Sequence, residues 1–304
     1  MNPTPLADRL RDHVRFLADG VGPRGLFAPD ALAAAADGLA TRLEGMGYPV
    51  RREAAHAAEG LSHNLVAERA GAGHNPDVWL VGAHYDTVPT TPGADDNASG
   101  VAVLLEIARA FGASAPWDTV RFVCFTNEEM PYFSTNSQGA MVHAKGCRAR
   151  GERVRLMLSL EMLGFYSGAP DSQRYPLGVG LCRPRQGNFV AMVGSRRHGR
   201  VLRDLVAGFQ AASDFPVQHL ATPVWMPALV RSDHFAFWLN GYPAVMVTDT
   251  ADFRNPHYHG PADTPDTLDY DAMARVTTGL AGALMRLAGV PLHPIATASA
   301  SRRR

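Results

Sequence analysis

The chain has 304 residues, 46% hydrophobic and 19% charged, and its 29 basic and 29 acidic side chains cancel. Such a balance leaves no electrostatic footprint for nucleic acid or an acidic membrane surface. No stretch approaches the roughly 18 consecutive apolar residues of a membrane-crossing helix, and the length suits one large α/β domain with a well-buried core.

Charges at Asp8, Arg9, Arg11 and Asp12 occupy the place where an export signal would have its apolar core. Cys124, Cys147 and Cys182 are odd in number and widely spaced. That pattern fits free thiols in a reducing compartment, and a cytoplasmic location is expected.

Helical and strand patterns alternate along the chain. Apolar residues recur at helical spacing over 6–17, and Pro29-Asp30 opens an Ala-rich helix that Gly47-Tyr48-Pro49 ends near Met46. Short strands are predicted at 50–53 and 64–68. The continuous apolar run 78–83 reads as a strand buried on both faces. A Pro/Gly-rich loop and a helix over 97–111 follow, then a strand at 119–126, a helix at 139–146 and a strand at 154–160. Residues 166–188, rich in Gly, Pro, Ser and Arg, read as a long excursion that either walls a pocket or lies free in solvent. Helices at 198–212 and 233–239, a strand at 244–248 and a helix at 270–287 complete the pattern. No internal repeat is visible and no linker divides the chain. The expectation is a single α/β domain over 1–293, with a mixed, mostly parallel sheet flanked by helices. The small, polar, basic tail 294–304 is expected to be disordered.

Polar residues gather where the apolar runs end. His84 closes a buried run, and Asp86 lies two residues on, placed to take the second N–H of a metal-bound imidazole. Asp95 and Asp96 sit in a glycine-bounded turn leading into a helix, whose N-terminus favours anionic groups. Alone, such a turn reads as an ordinary N-cap. Glu128 and Glu129 close an apolar strand, and neighbouring carboxylates point in different directions. One can then hold a metal while the other faces water as a general base. Glu161 ends the run 156–160, where an uncompensated charge is costly and a cation is the simplest remedy. His257 and His259 flank Tyr258 in a Pro-bounded loop, and one of them is expected to complete a second metal site. In an open α/β sheet, ligands collect at the carboxyl ends of strands.

In chain order, His-Tyr-Asp (84–86), Gly-Ala-Asp-Asp-Asn-Ala-Ser-Gly (93–100), Asn-Glu-Glu (127–129), Glu-Met-Leu-Gly (161–164) and Tyr-His (258–259) resemble the co-catalytic dizinc aminopeptidase family. That family includes bacterial leucyl aminopeptidases, aminopeptidase Y and glutamate carboxypeptidase II. The resemblance covers about His63 to Leu287 and implies a zinc-exopeptidase fold, two zinc ions per chain and a peptide or aminoacyl substrate. Carried over, it places His84 and Glu161 on one zinc, Glu129 and His259 on the other, and Asp96 between them. Glu128 becomes the general base, Asp86 the support of His84, and Tyr258 the residue that steadies the tetrahedral intermediate. Ser232-Asp233-His234 resembles a recurrent family segment near the site. Glu161 departs from the pattern, since many relatives carry Asp there, and the first 60 or so residues lie outside the match.

Other readings of the same scaffold are a single-zinc glutaminyl cyclase, a carboxypeptidase-type specificity, and a non-catalytic module like the transferrin-receptor ectodomain. The last conflicts with the full ligand set. Trp225, Met226 and Trp238 are candidates for an apolar pocket or for plain core. Oligomeric state is left open.

Overall fold

The apolar run after Asp77 becomes the central strand of an eight-stranded sheet. The structure is a computed structural model that describes residues 5–74, 77–181, 183–223, 226 and 229–290. Its strands are β1 (Arg51–Ala57), β2 (Gly60–Arg69), β3 (Val78–His84), β4 (Thr119–Phe125), β5 (Val154–Glu161), β6 (Val190–Ser195), β7 (Val217–Thr222) and β8 (Ala244–Thr248). The helices are α1 (Leu6–Arg15), α2 (Pro29–Gly45), α3 (Gly100–Phe111), α4 (Gly139–Ala149), α5 (Gly199–Ala212), α6 (His234–Leu239) and α7 (Tyr270–Leu287). The tail 294–304, Cys182 and Trp225 lie outside the described residues. Among the described residues, no helix is long and apolar enough to cross a membrane.

The sheet order is β1-β2-β4-β3-β5-β8-β6-β7. The four central strands, β4, β3, β5 and β8, pair in parallel. On one side β2 and β1 add antiparallel; on the other β6 joins β8 antiparallel and carries β7 in parallel. Every residue of β3 is buried, as a parallel strand covered on both faces requires. Helices α1, α2, α3, α5 and α7 close the larger core on one face, and α4 and α6 cover the other.

Two strands were absent from the sequence reading, and two run longer than expected. β6 (Val-Ala-Met-Val-Gly-Ser) is short and uniformly buried, so it has no alternation to reveal it. β7 is a half-exposed edge with a mixed pattern. β1 and β2 extend to Ala57 and back to Gly60, because a hairpin turn joins them and pairs Ala57 with Gly60. The first helix continues past Arg15 as a wider turn to Val21, and the helix expected from Asn97 begins in regular form at Gly100. Trp238 packs on the smaller core and donates to the Ala244 carbonyl at 2.9 Å.

Helix α3 runs between the sheet and α1, and its one acidic residue, Glu106, is buried with two guanidiniums and an imidazole as partners. It accepts from Arg9 at 2.8 Å and from Arg109 at 3.0 Å, and meets His13 at 3.0 Å. Burial alone would raise its carboxyl. The hydrogen bonds from His13, Arg9 and Arg109 outweigh burial and hold it at about 2, below its ordinary 4.5. Because the folded value is depressed, the stabilisation is present above 4.5 and is lost as pH falls toward 2. Glu106→Gln should therefore cost roughly 2–4 kcal/mol at neutral pH. In urea titrations the gap to wild type should close between pH 4.5 and 2; a gap independent of pH would rule out the ionic account.

Candidate metal centre

The parallel pairing sets the carboxyl ends of β3, β4, β5 and β8 along one edge of the sheet. His84 is the last residue of β3, opposite Phe125 of β4, and Glu161 is the last of β5, opposite Thr248 of β8. β4 runs on through Thr126 and Asn127 to Glu128 and Glu129, while β8 leads into the loop that carries Tyr258 and His259. Asp96 arrives from the irregular turn Ala94–Ser99 before α3, where the Asp96–Asn97 peptide is cis. The Asn97 side chain ties that turn to β5: its oxygen accepts from Gly100 and Met162, and its amide donates to the Leu160 carbonyl at 2.8 Å. Gly100 is required there, since a Cβ would lie 2.3 Å from the Asn97 oxygen and 2.7 Å from that carbonyl.

Two groups of potential ligands result, and they share one carboxylate. His84 Nε2 lies 3.3 Å from Asp96 Oδ1 and 3.5 Å from Glu161 Oε2. His259 Nε2 lies 3.1 Å from Asp96 Oδ2 and 3.4 Å from Glu129 Oε1. Within each group the ligand atoms all fall within 4.8 Å of one another. Glu128 Oε2 stands 4.0 Å from His84 Nε2 and belongs to neither group. Tyr258 stacks on the His259 ring, centroids 3.8 Å apart, and its hydroxyl accepts from Arg231 at 3.1 Å.

Residues 64–284 match the family described as peptidase family M28. The chain belongs to peptidase family M28. It is thereby a hydrolase acting on peptide bonds. Over 283 residues, 90% of the chain, it is 38% identical to the uncharacterized protein YfbL of Escherichia coli K12, covering 86% of that protein. A probable leucine aminopeptidase of Trichophyton verrucosum is 28% identical over 74% of the chain and 58% of its own length. Among solved structures, the fold matches a zinc aminopeptidase from Bacillus subtilis with a TM-score of 0.71 at 15% identity, over 94% of the chain and 96% of that structure. It also matches Porphyromonas gingivalis glutaminyl cyclase, with a TM-score of 0.69 at 22% identity, over 93% of the chain and all of that structure.

In this M28 chain the electrostatics of the cluster match a set of groups built around cations. Burial alone would lower His84, but the charges of Glu161 and Glu128, with the adjacent carboxylates of Asp86 and Asp96, hold it well above its ordinary value. His259 is likewise raised against burial, to about 10, by Asp96 and Glu129. Asp96, despite burial, is held well below the carboxylate range by the imidazoles of His259 and His84 beside it. Burial pushes Glu129 up to about 7, aided by the charge of Asp96. Glu128 is raised well above the carboxylate range, chiefly by burial and by Glu161 and Glu129, with His84 opposing. Carboxylates crowded this closely must share protons or face positive charge.

Asp86 does more than the sequence assigned to it. Its carboxylate accepts the backbone N–H of Glu128 and of Glu129, one on each oxygen at 3.1 Å. His84 Nδ1 contacts the Asp86 backbone carbonyl at 3.2 Å, while the carboxylate lies at 3.7 Å. The reason is that β3 ends at His84, so Asp86 leaves the strand and turns toward the segment after β4. Asp86 thus aims both glutamates, and its main-chain oxygen sets the imidazole.

Of the further supports, Asp263 and Asn255 escaped the sequence reading, while Asp95 and the Ser232-Asp233-His234 segment were named there without these contacts. The Asp263 carboxylate accepts the N–H of Asp95 at 2.8 Å and of Asp96 at 3.1 Å. Asp95 accepts from Gly164 and Asn255, and so joins the turn to the loop that carries His259. Ser232 donates to Glu161 at 2.7 Å and meets Ser159 at 2.9 Å. In the same segment, Asp233 accepts from Gln138, and His234 turns away to the Leu229 carbonyl.

Proposed function

We propose that this M28 peptidase is a zinc-dependent aminopeptidase that removes N-terminal residues and uses two zinc ions. His84 and Glu161 would hold one ion, Glu129 and His259 the other, and Asp96 would bridge them. The observation that carries the proposal is the pair of ligand groups meeting at Asp96. The donor set fits: Nε2 of His84 and Oε1 of Glu129 are buried without any hydrogen-bond partner, as atoms reserved for a cation would be. The solved Bacillus subtilis zinc aminopeptidase and the probable leucine aminopeptidase of Trichophyton verrucosum support the same reading.

Those five residues would hold zinc, which when bound would supply Lewis acidity and lower the pKa of a water. Glu128, outside both ligand groups and 4.0 Å from His84 Nε2, is placed to take the proton of an attacking water and return it to the leaving amine. Its carboxylate is aimed by the Asp86 clamp on its backbone N–H. Because Arg231 donates to the Tyr258 oxygen, the phenol proton is free to be given to an oxyanion developing on the substrate carbonyl.

The test is to count zinc in the purified protein and to assay aminoacyl amides, their N-blocked counterparts and peptides beginning with glutamine. About two zinc ions per chain and hydrolysis confined to free N-termini are expected. A fully active preparation with one ion that releases ammonia from glutamine peptides would place the chain with the cyclases. Cleavage of blocked peptides from their C-terminal end would make it a carboxypeptidase.

A further inference from the structure

A cleft opens directly against Glu161 and Tyr258. Its floor includes Val193, Leu229 and Met246, a small apolar cluster separate from the two main cores. Of its polar groups, Gln173 donates to Thr250 at 2.9 Å and accepts from Arg254 at 2.9 Å. The outer wall comes from the excursion 166–188, which contributes Arg174 and Arg183.

Three guanidiniums line this cleft, against one carboxylate besides Glu161, that of Asp252. Arg231 is matched, donating to Asp252 at 3.0 Å and to Tyr258 at 3.1 Å. The other two are not. Arg174 donates to the backbone carbonyl of Asp252 at 2.7 Å, and Arg183 to that of Val179 at 3.1 Å. A carbonyl occupies an N–H without cancelling the charge. Among the described residues, the ion pairs of these walls are Arg185–Asp171 and Arg231–Asp252, and neither Arg174 nor Arg183 has one. In a chain whose formal charge is zero, two unmatched guanidiniums in one cleft form a local field for an anion.

We infer that this cleft receives a carboxylate of the substrate on Arg174 and Arg183, with an apolar stem lying over Val193, Leu229 and Met246. The inference rests on the peptidase reading above and extends it to a substrate class, short peptides that carry a carboxylate near the scissile bond. Two sources share that chemistry: the side chain of an N-terminal glutamate and the free C-terminus of a dipeptide.

The experiment compares isosteric pairs on the zinc-loaded wild type and on an Arg174→Gln/Arg183→Gln variant. One arm pairs glutamyl with glutaminyl amides; the other pairs dipeptides with their C-terminal amides. In at least one arm the wild-type kcat/KM should favour the carboxylate by about 10-fold, the scale of charge-assisted bonds at a partly exposed site. The ratio should fall toward one in the variant, and the arm that responds identifies the source. Ratios near one in both arms of the wild type, or an unchanged ratio in the variant, would overturn the inference. Calorimetric titration with glutamate, glutamine, and a dipeptide with its amide reads the same preference without turnover. A protein that hydrolyses no substrate yet still binds the carboxylate forms more tightly would sink the aminopeptidase proposal and leave the cleft reading standing.

Discussion

Glu128→Gln is expected to keep both zinc ions and to bind substrate, yet to lose on the order of 10²–10⁴-fold in turnover, the usual worth of a positioned general base. The amide keeps the size of the side chain, and the Asp86 clamp acts on the Glu128 backbone, so the segment should stay in place. Only the proton acceptor goes. Glu129→Ala makes the contrast: it deletes an oxygen 3.4 Å from His259 Nε2 and should mainly lower metal occupancy, with partial recovery at high zinc. Elemental analysis and turnover on both variants decide the matter. Undiminished turnover in Glu128→Gln would remove the base and the mechanism with it.

That this pair stands at the sheet edge was legible in one dimension, because it depends on where a strand ends. Which glutamate is the ligand came from the family resemblance alone. An apolar run that stops at His84, Glu128-Glu129 or Glu161 marks a carboxyl end, and parallel order brings such ends to one edge. The sheet's parallel centre was legible for the same reason, since buried strands read as uninterrupted apolar runs. What escaped the sequence lacks a local signal. Asp263 meets the N–H groups of Asp95 and Asp96 across 168 and 167 positions, and nothing around it distinguishes a turn aspartate from a buried clamp. Asp86 was read by strand alternation, which ceases to apply one residue after β3 ends. The edge strand β7 has too little burial to impose a period on its side chains. The excursion 166–188 showed its composition, but the place of Arg174 and Arg183 in the cleft wall depends on how that segment folds back over β6 and β8.

Asp96→Ala should be the most damaging single change at the centre. Asp96 alone faces both imidazoles, at 3.3 Å from His84 and 3.1 Å from His259, so its removal takes a ligand from both groups at once. Zinc content should fall below about one ion per chain, and activity on the order of 10³-fold or more, because acidification of water and polarisation of the carbonyl depend on the same ions. Added zinc should restore little, in contrast with Glu129→Ala, where Asp96 still anchors His259. The fold should survive. The two main cores are closed by helices packed on the sheet and contain none of the five ligand residues. Far-ultraviolet circular dichroism should therefore match that of chelated wild type, with a similar melting temperature. An Asp96→Ala protein that kept two ions would show that the two groups do not share this carboxylate, and the bridged centre would have to be abandoned.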